Sequence, residues 1–229
     1  HWQWYRVFFH TVILRYLGLW FSLVPLFAKL LEKVPHEITI NAANRSFTLV
    51  TELPFSWEFL WLSSFLFVCA YFLYTIACPG FVKKYSSYSD YKIHMHSPRW
   101  IVWEAAELVK DKGELPKFVE RIAIKQYLQT VSQLPGDASG NPKHKVRVEE
   151  KQTSLYFVFK SVNYRLALPI LDGSGNEDKD ATPIAEREIF WEVFGRFSSS
   201  KSVVRLIIIV LLALSGIFFL IVLAQHILT

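Results

Sequence analysis

The first side chains in this sequence whose type and spacing could do chemistry are the two histidines of His94-Met95-His96. On a strand, residues i and i+2 share a face, and two imidazoles so placed could chelate a metal. A metal needs more ligands than two, and the sequence offers only His144 and scattered carboxylates. Binuclear hydrolases that use such a pair are built on a barrel far larger than the soluble part of this chain. A solvated or interfacial histidine pair is therefore expected, with no metal. A second candidate runs from Asp172 through Ser174, Asn176 and Asp178 to Asp180, with oxygen ligands at the odd places of a calcium loop. Its sixth place holds Glu177 where that loop needs glycine, and its twelfth holds Pro183 where it needs glutamate. A polar hairpin loop is the expected outcome. Phosphate-binding, dinucleotide-binding, zinc-protease and nucleophile-elbow motifs do not occur. No catalytic residue and no cofactor is expected, and the chain reads as a non-enzyme.

The third candidate is a charge in an apolar run. Arg15 stands among Phe8, Phe9, Val12, Ile13, Leu14 and Leu17, where a charge in lipid costs at least a few kcal/mol. On a helix, Thr11, Arg15, Gly18, Ser22 and Pro25 recur at steps of three or four and form one polar stripe of small residues. Gly18 and Ser22 form a small-xxx-small pair that lets helices approach closely, which predicts a homo-oligomer through that face. Tyr71, Tyr74 and Thr75 of the next apolar segment fall at matching depth and are the expected partners of Arg15. Two arrangements suit the arginine: snorkelling to the cytoplasmic phosphates, or facing a helix interface or polar cavity.

The elements that would position these residues follow from composition. The chain has 229 residues, of which 52% are hydrophobic and 16% aromatic, and a mean hydropathy of +0.25. These values fit a membrane protein with a sizeable water-exposed part. Cys69 and Cys78 both lie in one apolar run, which excludes a disulfide framework and a zinc finger. The segment 203–228 is uncharged from Leu206 to Ala224, long enough to cross ~30 Å of hydrocarbon. A second uncharged run, 59–82, ends at Pro79-Gly80 and is followed by Lys83 and Lys84. The run 7–31 reads as a third span despite Arg15 and Pro25; it is too long for a signal-peptide core, and no A-x-A site follows it.

Basic residues flank the middle of the chain: Lys83, Lys84, Lys92 and Arg99 on one side, Arg187, Arg196, Lys201 and Arg205 on the other. The positive-inside rule then puts 83–202 and the N-terminus in the cytoplasm, with the loop at 33–56 and the C-terminus outside. The expected fold is three transmembrane helices with a cytoplasmic α+β domain between the second and third, in a plasma or bacterial inner membrane. Its parts are 1–32 (aromatic belt and first span), 33–56 (external loop), 57–82 (second span), 83–202 (cytoplasmic domain) and 203–229 (third span). The external loop carries two alternating runs around an Asn-rich turn, predicting a β-hairpin. Asn44-Arg45-Ser46 in that turn matches the glycosylation pattern, with use expected only in a eukaryotic host. The cytoplasmic domain is expected in the order α-α-β-β-β-α. Its helices are RWIVWEAAELVKDK, ELPKFVERIAIKQYLQTV and a last one from Pro183 capped by Thr182; its strands are KVRVEE, SLYFVF and YRLALPI.

The formal charge of +5 concentrates beside the spans, where anionic lipid attracts it, so nucleic acid is not an expected partner. The spans hold no carboxylate, which disfavours a cation channel or proton-coupled transporter. The leading expectation is a membrane sensor or scaffold subunit that anchors a soluble cytosolic protein; the alternative is a subunit of an oligomeric, anion-tolerant pore. In layout alone, the chain resembles small membrane subunits of bacterial defence or signalling systems such as the Kiwa anti-phage system.

Overall fold

The computed structural model describes residues 1–11, 16, 23, 37–42, 45–50, 56–110, 113–135 and 144–228. In chain order the elements are α1 (Trp2–His10), β1 (Glu37–Ala42), β2 (Arg45–Val50), α2 (Trp57–Ala77), α3 (Gly80–Lys84), α4 (Tyr88–Ile93), α5 (Trp100–Lys110), α6 (Leu115–Ile124), β3 (Leu128–Thr130), β4 (His144–Val148), β5 (Thr153–Phe159), β6 (Val162–Leu168), α7 (Ala181–Ser199) and α8 (Ser202–Leu228). They fall into two compact units. One is Pro79–Ser200 with His1–Gln3; the other is Trp4–Cys78 with Lys201–Thr229.

The second unit holds the two helices among the described residues that are long and apolar enough to cross a membrane, Glu58–Ala77 and Ser202–Leu228. α2 stops where Pro79 forbids continuation: Cys78 before it takes an extended conformation at φ −64° and ψ 128°. Residues 80–82, expected within this span, instead belong to the separate short helix α3, which continues to Lys84. α2 and α8 run antiparallel, since the Ser56 N–H donates to Gln225 Oε1 at 3.0 Å and Lys201 Nζ donates to the Ala77 carbonyl at 2.9 Å. Only Ile208, Ser215 and Val222 of α8 are buried, one every second turn, while Leu206, Ile209, Leu214, Ile217 and Leu220 on its other sides are exposed. A helix apolar on all sides finds no favourable surroundings in water. The hairpin expected in the loop at 33–56 is present as β1 and β2, paired antiparallel from Glu37↔Val50 to Ala42↔Arg45.

The first unit contains a four-stranded antiparallel sheet in the order β3-β6-β5-β4. The expected meander is β4-β5-β6. The sequence predicts one helix from Glu114 to Val131; the structure ends α6 at Ile124, gives Gln126 a positive φ of 62°, and uses Leu128–Thr130 as an added edge strand beside β6. On one sheet face Leu155, Phe157, Leu166 and Leu168 are fully buried, and α5 packs against β4, β5 and β6. α7 lies against α3, α4, α5 and α6, burying Ile189, Phe190, Val193 and Phe194. Full burial of a side chain such as Phe190 contributes roughly 2–3 kcal/mol. Its ring meets those of Phe81, Tyr88, Tyr91 and Phe194. The start of α7 departs from expectation. The Asp178 carboxylate accepts from the N–H groups of Asp180 and Ala181, while Thr182 turns inward, its hydroxyl accepting from the Ile170 N–H at 3.0 Å. α4 is set by Ser87, whose Oγ accepts from the Asp90 N–H in a capping arrangement.

Candidate functional site

The sequence-derived polar stripe can be followed only in part, because Arg15, Gly18 and Ser22 lie outside the described residues. Thr11 is exposed, and its hydroxyl donates to the Val7 carbonyl at 2.8 Å. In α2, the Thr75 hydroxyl likewise turns back to the Tyr71 carbonyl at 2.9 Å. Such local bonds satisfy a hydroxyl within its own helix. Tyr74 is 3% exposed and stacks on Phe9 with ring centroids 4.8 Å apart, and Tyr71 meets the same ring edge-on at 5.5 Å. The structure thus brings Tyr71 and Tyr74 together around Phe9. Any pairing of either with Arg15 lies outside the described residues.

A polar contact inside this helical unit had no place among the expected site residues. Ser63 and Ser215 are both buried, and each hydroxyl donates to the other's backbone carbonyl at 2.8 Å. The two small side chains let α2 and α8 approach closely, and the paired bonds satisfy groups that lipid would leave bare. The visible signal was the pair Ser63-Ser64 in one apolar run and Ser215 in the other.

In the other unit, His94 and His96 are not on a strand. His94 caps the end of α4, and Met95 takes a left-handed φ of 52°. The two imidazoles stack in parallel at 5.7 Å, and Trp100 stacks on the far side of His96 at 5.0 Å. The Nδ1 of His94 meets the Asp90 carbonyl, and the Nε2 of His96 meets the Tyr85 hydroxyl at 2.7 Å. Stacked rings with nitrogens so engaged do not converge on a cation, and no cluster that could hold a metal occurs among the described residues. Burial holds the His96 pKa below its ordinary value, the nearby charges of Lys84 and His94 push the same way, and Glu186 opposes them.

Glu186 on α7 is fully buried and accepts from Lys92 Nζ at 2.9 Å and from the Tyr88 hydroxyl at 3.2 Å. The Tyr88 pKa is pushed up to about 12, first by burial and then by this carboxylate. Tyr91 is raised too, again chiefly by burial. A buried charge persists only when paired and hydrogen-bonded, so this cluster ties α4 to α7. The fastening is incomplete: Glu186 Oε1 and the Tyr91 hydroxyl are buried without a hydrogen-bond partner.

The loop at 172–180 fills its would-be calcium position from within. Asp172 Oδ1 accepts from the Ser174 N–H, the Ser174 hydroxyl and the Asn176 N–H, and the Lys151 ammonium donates to the Gly175 carbonyl at 2.8 Å and to Asn176 Oδ1 at 3.3 Å. The hydrogen bond from Ser174, followed by that from Asn176, keeps the Asp172 pKa below its ordinary value.

Lys151 also borders a groove of about 410 Å³ on the sheet face turned away from α5, lined by Gln129, Glu149, Gln152, Arg165 and Pro169–Leu171. Register puts Gln129, Arg165 and Tyr156 side by side on this face. The Arg165 guanidinium donates to Ser154 Oγ at 3.1 Å, to Gln129 Oε1 at 3.0 Å and to Gln152 Oε1, with Glu149 Oε2 3.9 Å away. The result is a rigid donor fork framed by two amides that can exchange partners. That chemistry recognises carboxylates, amides and backbone carbonyls. Sequence reasoning passed over Arg165 because a single arginine in an alternating strand reads as an ordinary solvent-facing residue. No family model, curated protein or solved structure matches this chain.

Proposed function

We propose that this chain is a non-enzymatic integral membrane subunit that crosses the bilayer three times, keeps residues 83–202 in the cytoplasm and anchors a soluble protein there. The observation that carries the reading is the circumference of α8, apolar and exposed on every side except the seam of Ile208, Ser215 and Val222. Such a surface is at home in hydrocarbon. The basic residues beside α2 and α8 support the cytoplasmic side for the sheet unit. The Arg165 groove supports protein recognition, since a fixed guanidinium between exchangeable amides suits a peptide or protein surface.

The test is to isolate membranes from the native host, extract them with alkaline carbonate, and purify the chain in mild detergent. The reading expects retention in the carbonate pellet and a stoichiometric soluble companion that is lost on Arg165→Glu. Release by carbonate removes the membrane assignment. Purification without a companion, or a companion indifferent to Arg165→Glu, removes the anchoring role.

A further inference from the structure

We infer that the surface around the His94-Met95-His96 turn is a docking face for an anionic lipid head-group layer, an inference that rests on the membrane reading above. Met95 is 92% exposed and Ile93 75% exposed, and Trp100 and Trp103, one turn apart on α5, each leave nearly half their surface open. Four large apolar side chains in solvent are an unusual concentration for a small unit. They also form one surface with a cation. Lys84 Nζ lies 5.8 Å from the centroid of the Trp100 ring, which stacks on His96, which stacks on His94 next to Met95.

The chemistry selects the occupant. Indole rings with a polar edge, apolar tips and flanking lysines make up the composition that partitions into the head-group region of a bilayer. Lys83 and Lys84 follow Cys78-Pro79 directly, and that pair closes a helix long and apolar enough to cross a membrane. Along the chain, Lys84 is only seven residues beyond Ala77, the last residue of that helix, within reach of head groups whenever the helix is embedded. Lys92 is half-exposed but is paired with the buried Glu186, so it adds no net charge to this surface. Of the acidic groups nearby, Asp90 accepts from the Ser86 N–H and hydroxyl, and Glu107 is paired with Lys110. Glu104 lies beside Lys84 and Trp100, where burial raises its pKa. Hydrogen bonds from Ser86 leave the Asp90 charge in place, so the attraction to anionic lipid rests on Lys84, exposed and seated over the Tyr85 and Trp100 rings.

The experiment uses the full chain in vesicles of phosphatidylcholine alone or with a quarter phosphatidylglycerol. An environment-sensitive dye is attached at Met95→Cys, with Cys69→Ala and Cys78→Ala removing competing thiols, and the same dye is placed at Leu214→Cys and Val148→Cys for comparison. The expected result is quenching at position 95 by brominated lipid at least half as strong as at 214, stronger in the anionic vesicles and reduced severalfold by Lys84→Glu. If 214 is quenched while 95 behaves like 148 in both vesicles, the docking face is wrong and the membrane reading stands. If 214 is not quenched, both fall. Hydrogen exchange on the unsubstituted chain covers the case in which the cysteine-free background misfolds. Protection across 93–103 should rise at least threefold on going to anionic vesicles, and equal exchange in the two vesicle types overturns the proposal.

Discussion

At the residue scale, His96 shows how one side chain can be legible by type and illegible by role. Its spacing from His94 suits chelation but lacks further ligands, so a solvated or interfacial pair is the expectation; what the sequence does not show is the left-handed Met95 between them and the aromatic stack that follows, neither of which has a linear signature. The altered environment has a measurable consequence. A histidine whose pKa is lowered by folding binds its proton later on acidification than the unfolded chain does, so the unfolded state gains protons first. Stability from this site is fully present above the ordinary value of 6.5 and is lost as the pH falls below it. The midpoint of thermal unfolding in detergent should therefore decline between about pH 7.5 and 5.5, and His96→Gln should flatten that decline. The opposite slope, or an unchanged one in the variant, rules out His96 as the titrating group. Arg165 and Glu186 were hidden for a related reason: a charge in a strand or helix reads as solvent-facing until the neighbouring elements are in place.

At the scale of elements, periodicity located β4, β5, β6, α7 and α8 because each has a full face to bury or a long apolar run. It missed β3, α3 and α4, which are too short to repeat any pattern and exist through particular contacts: β3 through pairing with β6, α4 through the Ser87 cap. The turn joining β5 to β6 was also unmarked. Lys160 and Ser161 adopt positive φ of 48° and 65° with Phe159↔Val162 closing the hairpin, a conformation that favours Asn-Gly. The substitutions Lys160→Asn and Ser161→Gly together should therefore stabilise the sheet unit by about 1 kcal/mol, read as a rise of a few degrees in its unfolding temperature. A fall would mean that the present side chains make contacts there worth more than the backbone strain they carry.

For the whole molecule, hydropathy marked two apolar helices that the structure also contains, while the stripe through Arg15 depends on residues outside those described. The antiparallel seam between α2 and α8 has a consequence for architecture. Ala77 and Lys201 are held within one hydrogen bond of 2.9 Å, so the polypeptide leaves this helical pair and returns to it at almost the same point. Everything from Pro79 to Ser200 is, in that sense, a passenger carried on a closed hairpin. Replacing the passenger with about four Gly and Ser residues spans the gap that short helix–helix connections ordinarily bridge. The shortened chain should still insert, resist carbonate and keep the Ser63–Ser215 contact, detectable as a disulfide between cysteines placed at those two positions. Failure to insert would show that the passenger is needed to build its own carrier. Success would mean that such a hairpin can exchange its cargo during evolution without redesigning its seat in the lipid.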